Sequence, residues 1–147
     1  MRMNMKPLIL GVLVTAAAVA LLATCTVDVP HGDYYVTAAT KTTAHPQFGV
    51  GNPVGYVVND TQGLAITLTR GTTYTFGVNA PGHPLYFTTS VVGGASGRAS
   101  ELTSADGVTG SRTEQGTITF TPNAGTPGLL YYQCAVHDNM GWTITVQ

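Results

Sequence analysis

Charge is scarce in this 147-residue chain: Asp, Glu, Lys and Arg together make up 9% of it. No basic cluster follows the first few residues, so the electrostatic footprint that nucleic-acid binding requires is missing. With Arg2 and Lys6 set aside, four basic residues stand against seven acidic ones, a net charge of −3. From Tyr34 onward no segment sustains a helical period, which argues against a helical bundle. No Gly-x-Ser-x-Gly is present and the acidic residues are scattered, so the chain is not expected to be an enzyme. Cysteine is nearly absent as well. There are two, Cys25 and Cys134, and they fall so far apart in role that no disulfide is expected within the folded part.

The N-terminus carries what the rest lacks. Arg2 and Lys6 precede an apolar run from Leu8 to Ala23, long for a signal core and short for a spanning helix of about 20 residues. Residues 1–25 are therefore read as a signal peptide or membrane anchor and 26–33 as a short tether. Residues 34–147 are read as one domain. The run ends Leu22-Ala23-Thr24-Cys25, which resembles a bacterial lipobox, although Gly, Ala or Ser is usual where Thr24 stands. An ordinary signal, a lipid on Cys25 and an uncleaved anchor all remain open. Each predicts an exported protein: periplasmic, cell-surface or extracellular, with membrane anchoring through Cys25 or the apolar segment as one form of it.

Thr, Gly and Val are plentiful, a mix that favours strands and turns. Alternation with period two marks Leu64–Thr69, Thr73–Val78, Thr117–Thr121 and Trp142–Gln147. Turn signals at 79–82, 93–94, 122–125 and 127–128 separate these runs. Seven or eight short strands predict an all-β fold, a sandwich or a barrel. The polar, Gly-rich stretch 93–116 is expected to be a long surface connection.

A cysteine left without a partner in an exported protein raises the question of what protects it. The segment Cys134-Ala135-Val136-His137-Asp138-Asn139-Met140 answers with a C-x2-H-x2-M spacing. Thiolate, imidazole and thioether are donors that suit copper. The spacing fits one loop between two strands, with Leu130, Tyr132 and Cys134 on one face. Taken singly, a buried Cys is usually a small hydrophobe and a Met usually fills a core; together at this spacing they favour a metal. A second imidazole is expected from His83, which would share an inward face with Leu85 and Phe87 if 83–87 is a strand. Zinc is a poorer fit, because thioether is a weak zinc ligand. A Cys134–His137 nucleophile pair would need an exposed thiolate, usually beside a helix N-terminus, and a strand-end Cys pointing into a sandwich does not offer that. His31 and His45 are read as surface or turn residues without a role. Asn59-Asp60-Thr61 matches a glycosylation acceptor but follows a bacterial-looking leader and is given no weight.

On these residues the C-terminal half resembles the cupredoxins, the blue copper proteins. Its ligand-loop spacing is similar to that of amicyanin, and Tyr132 and the strand after Met140 also match. The resemblance implies an antiparallel Greek-key β-sandwich, a cupredoxin-like domain over 34–147 holding one type 1 copper per chain. Cys134 would supply the thiolate, His83 and His137 the imidazoles, and Met140 a long axial contact. It implies single-electron transfer with transient redox protein partners, through His137 as the ligand nearest solvent. A copper-binding or delivery protein of the envelope, or a metal-free interaction module, are the alternatives. One departure stands out. Relatives often place Asn after the first ligand His to brace the ligand loop, whereas Pro84 has neither an amide hydrogen nor a polar side chain.

Overall fold

The computed structural model describes residues 32–147. Cys25, His31 and the segment expected to direct export lie outside the described residues. Ten strands follow: β1 (Tyr34–Thr40), β2 (Val54–Val58), β3 (Thr61–Gln62), β4 (Ile66–Leu68), β5 (Tyr74–Asn79), β6 (Leu85–Thr88), β7 (Val108–Thr109), β8 (Gln115–Phe120), β9 (Leu129–Cys134) and β10 (Trp142–Val146). Two single turns of 3-10 helix, Ser96–Ser100 and Ser104–Asp106, interrupt the connection from β6 to β7. Among the described residues no helix is long and apolar enough to cross a membrane.

The strands form two sheets, ordered β3-β2-β1-β5-β8-β7 and β4-β10-β9-β6. The all-β expectation holds, but the sheets are not purely antiparallel. β1 runs parallel to β5, with Val36 opposite Val78, and β4 runs parallel to β10, with Ile66 opposite Ile144. Parallel neighbours need a crossover, and here the intervening chain passes through other strands before it returns. Period two reveals a strand but carries no information about its direction or partner.

Alternation does predict what is buried. In β4, Ile66 and Leu68 are buried while Thr67 is exposed; in β8, Ile118 and Phe120 are fully buried between threonines. The two sheets meet through aromatic rings. Phe87 of β6 lies between Phe76 of β5, at 4.9 Å and edge-on, and Phe120 of β8, at 5.2 Å and stacked. Such pairs add about 0.5–1.5 kcal/mol each beyond the area they bury. Tyr56 of β2 faces Tyr132 of β9 across the same core at 6.3 Å. His83 is not part of a strand, as the sequence pattern had it. β6 begins at Leu85, and His83 closes a turn by donating its N–H to the carbonyl of Ala80 at 3.0 Å. Pro84 explains the late start, since it has no amide to enter a ladder.

Candidate metal centre

Three stretches of chain converge at one end of the second sheet. β9 ends in Cys134, which lies opposite Leu85, the first residue of β6. The turn 80–83 sets His83 just ahead of that residue. The loop 135–141 between β9 and β10 supplies His137 and Met140.

The loop is held by its neighbours rather than by its own contacts. Gln133, fully buried beside Cys134, accepts the Gly141 N–H on its Oε1 at 2.9 Å and donates from Nε2 to the Val91 carbonyl at 2.7 Å. The Asn139 N–H reaches the Val92 carbonyl at 2.6 Å, and the Asp138 carbonyl accepts the Asn52 N–H at 3.0 Å. Gly94 donates its N–H to the Cys134 carbonyl at 2.9 Å. The φ of 62° at Gly94 favours glycine there, and a Cβ would also push the exposed Asp138 carboxylate aside.

The resulting geometry brings three of the four expected ligands together. The donor atoms of His83, Cys134 and His137 lie within 4.8 Å of one another. His83 Nδ1 is 3.2 Å from His137 Nδ1, and the Cys134 sulfur is 3.6 Å from His137 Nδ1. Two donors bound to one ion at about 2.0–2.3 Å sit about 3–4.5 Å apart, and the two sides that meet at His137, 3.2 and 3.6 Å, fall in that range. Two backbone amides, of Val136 and His137, point at the sulfur from 3.4 Å. These are the hydrogen bonds a thiolate accepts. Burial, and then the facing His137 imidazole, hold His83 below its ordinary 6.5, against a weaker opposite pull from Glu114. His83 is therefore neutral at pH 7, the form that binds metal. Cys134 is fully buried, whereas His83 and His137 are partly exposed.

Met140 is also fully buried, in the apolar cluster that contains Cys134 and Leu85. Its carbonyl accepts the Tyr56 N–H at 2.7 Å and lies 3.1 Å from His45 Nε2. His45 is thus not a surface residue: it is 2% exposed. Its Nδ1 accepts the Gln47 N–H at 3.0 Å, which leaves the proton on Nε2 to be donated to Met140. The loop 41–53 folds around it. Lys41, itself buried, donates to the carbonyls of Gln47 at 3.1 Å and Val50 at 2.7 Å. His45, Lys41, Gln133 and Tyr56 all support the site, and sequence reasoning found none of them. The adjacency of Gln133 to Cys134 was the one available signal; the others act across dozens of residues.

Exposed apolar side chains lie in the ligand loop and in the segments hydrogen-bonded to it: Val136 in the loop, Val91 and Val92 in one neighbouring segment, Phe48 and Val50 in the loop around His45. The model of the At5g54830-like domain matches residues 29–147. No curated protein and no solved structure matches the chain.

Proposed function

The chain belongs to the At5g54830-like domain family, and since that membership names no chemistry, we propose from the site itself that it is a mononuclear copper protein passing single electrons. The observation that carries the reading is the convergence of His83, Cys134 and His137 around one point, on a loop whose next donor is Met140. Bound copper supplies a Cu(II)/Cu(I) couple that accepts and returns one electron. The chain's own residues then have defined tasks. Cys134 would offer a buried sulfur with two amide donors on it. His83 and His137 would offer imidazole nitrogens. The bonds that the loop makes to the Val92 carbonyl and receives from the Asn52 and Tyr56 amides, with Gln133 bridging Val91 and Gly141, would hold it so that the donor set changes little between states, which keeps reorganisation small. The thioether of Met140 favours copper over zinc, whereas a thiolate suits both.

The finer fold reading, a cupredoxin-like Greek key, belongs with this proposal. So do the exported location and the partners. The exposed apolar side chains Val136, Val91, Val92, Phe48 and Val50 suit brief encounters of small area with redox proteins, with His137 as the route for the electron.

The test is a Cu(II) titration of purified metal-free protein, followed in the visible spectrum. An intense blue colour saturating at one copper per chain is expected, and Cys134→Ser should abolish it, because a hydroxyl cannot replace the thiolate. A colourless complex with rapid metal exchange would favour delivery over electron transfer. No binding at all would leave a metal-free interaction module.

A further inference from the structure

Pro84 removes the polar brace that the residue after His83 could have supplied. The peptide unit between them has no N–H, and its only polar atom is the His83 carbonyl. That carbonyl is not left bare. The hydroxyl of Tyr56, on β2 of the opposite sheet, donates to it at 2.8 Å. Tyr56 is fully buried. The same residue donates its backbone N–H to the Met140 carbonyl at 2.7 Å. One residue of the first sheet thus holds the chain at two of the four expected ligands, by its hydroxyl at His83 and by its backbone N–H at Met140.

We propose that Tyr56 is a positioning residue for the metal centre, its hydroxyl fixing His83 from across the sandwich in place of the brace that Pro84 cannot give. This rests on the reading that His83, Cys134 and His137 hold a metal. The physical reason is economy of freedom. The flanks of the turn are held by other bonds: the Ala80 N–H reaches the Glu114 carbonyl at 2.8 Å, the Gly82 N–H its carboxylate at 2.9 Å, and the Ala135 N–H the Pro84 carbonyl at 2.8 Å. His83 itself is tied at its N–H only to Ala80, within the same turn. The Tyr56 bond adds an anchor from β2 at the His83 carbonyl; without it that part-buried carbonyl loses its donor and the His83 peptide can tilt within the frame of its neighbours. A hydroxyl has one proton and two lone pairs. The single proton of Tyr56 goes to the His83 carbonyl.

The experiment compares Tyr56→Phe with Tyr132→Phe. Both delete one buried hydroxyl that donates to a backbone carbonyl at 2.8 Å; that of Tyr132 serves Leu64 instead of His83. Affinity for Cu(II) is measured by competition with a chelator. Tyr56→Phe should weaken binding about 10–100-fold, the usual cost of losing a group that orients a ligand, and Tyr132→Phe should leave it near wild type. In the metal-free proteins, 15N spectra of the imidazoles report the His83–His137 contact, which Tyr56→Phe should disturb and Tyr132→Phe should not. Equal effects of the two variants on affinity, or undisturbed imidazoles in Tyr56→Phe, would overturn the proposal. Wild type that binds no copper refutes the metal reading instead, and the imidazole spectra then decide the role of Tyr56 alone. Should Tyr56→Phe fail to fold, fluorotyrosine at position 56 keeps the ring and strengthens the donor. Imidazole signals identical to wild type would again count against the proposal.

Discussion

Replacing His45 by alanine should destabilise the metal-free protein substantially, although no sequence pattern marks that residue. The wild-type imidazole is 2% exposed and makes two hydrogen bonds, accepting from Gln47 N–H at 3.0 Å and donating to the Met140 carbonyl at 3.1 Å. The Met140 carbonyl keeps a second donor, Tyr56 N–H. The Gln47 amide keeps none of equal quality, and a buried donor left unpaired costs about 1–3 kcal/mol. The lost bond to Met140 adds about 0.5–1.5 kcal/mol, and the emptied ring volume adds to both. The sum is roughly 2–4 kcal/mol, which for a domain of this size lowers Tm by roughly 10–15 °C. Glutamine can still donate to Met140 and should recover part of the loss. A pH series supplies an independent check. Burial first, and then the nearby Lys41 charge, hold His45 below its ordinary 6.5, against the Met140 carbonyl, which favours the proton. A depressed folded-state value means the unfolded chain takes up the proton first. Its share of stability is full above 6.5 and is lost as pH falls through 6.5 towards the folded value. Wild type should therefore lose Tm between neutral pH and about pH 5 more steeply than His45→Gln. Thermal melts followed by circular dichroism measure both. A loss below about 3 °C for His45→Ala, with unchanged acid slope in His45→Gln, would refute the assignment of His45 as the post around which loop 41–53 is built.

Two further outcomes are expected. In Gly55→Ala the new Cβ would stand 2.7 Å from His45 Nε2 and 2.9 Å from Lys41 Cγ, so His45 must move. This variant should lose stability comparably to His45→Ala, and the double variant should lose less than the sum, because the two changes act on one space; strict additivity in melts would contradict this. Met140→Gln should retain copper but lower its reduction potential in cyclic voltammetry, since the axial donor tunes it; an unchanged potential would mean that Met140 is not axial.

Much of this protein can be read from local sequence, and the reason is the range of the physics involved. Alternation in Ile66–Leu68 or Thr117–Phe120 records which face of a strand is buried, a property settled within a few residues. The C-x2-H-x2-M spacing belongs to one loop, so three donors could be nominated together without knowing the fold. His83 could be nominated by chemistry, but its place could not: it lies in a turn ahead of β6 rather than within a strand, because Pro84 delays the ladder. What only the tertiary structure decided is everything that depends on two distant segments meeting. The parallel pairing of β1 with β5 and of β4 with β10 has no local signature, since strand direction is set by the path of the chain between them. His45 lies 95 residues from the Met140 carbonyl it supports, and Tyr56 lies 27 from the His83 carbonyl it holds. A histidine in a turn and a tyrosine in a strand look ordinary in sequence, because a hydrogen bond across the sandwich costs the local pattern nothing. Three candidate donors are thus nominated by a short motif, while groups that hold their segments in place, such as Tyr56 and His45, come from distant parts of the chain and appear only when the two sheets close.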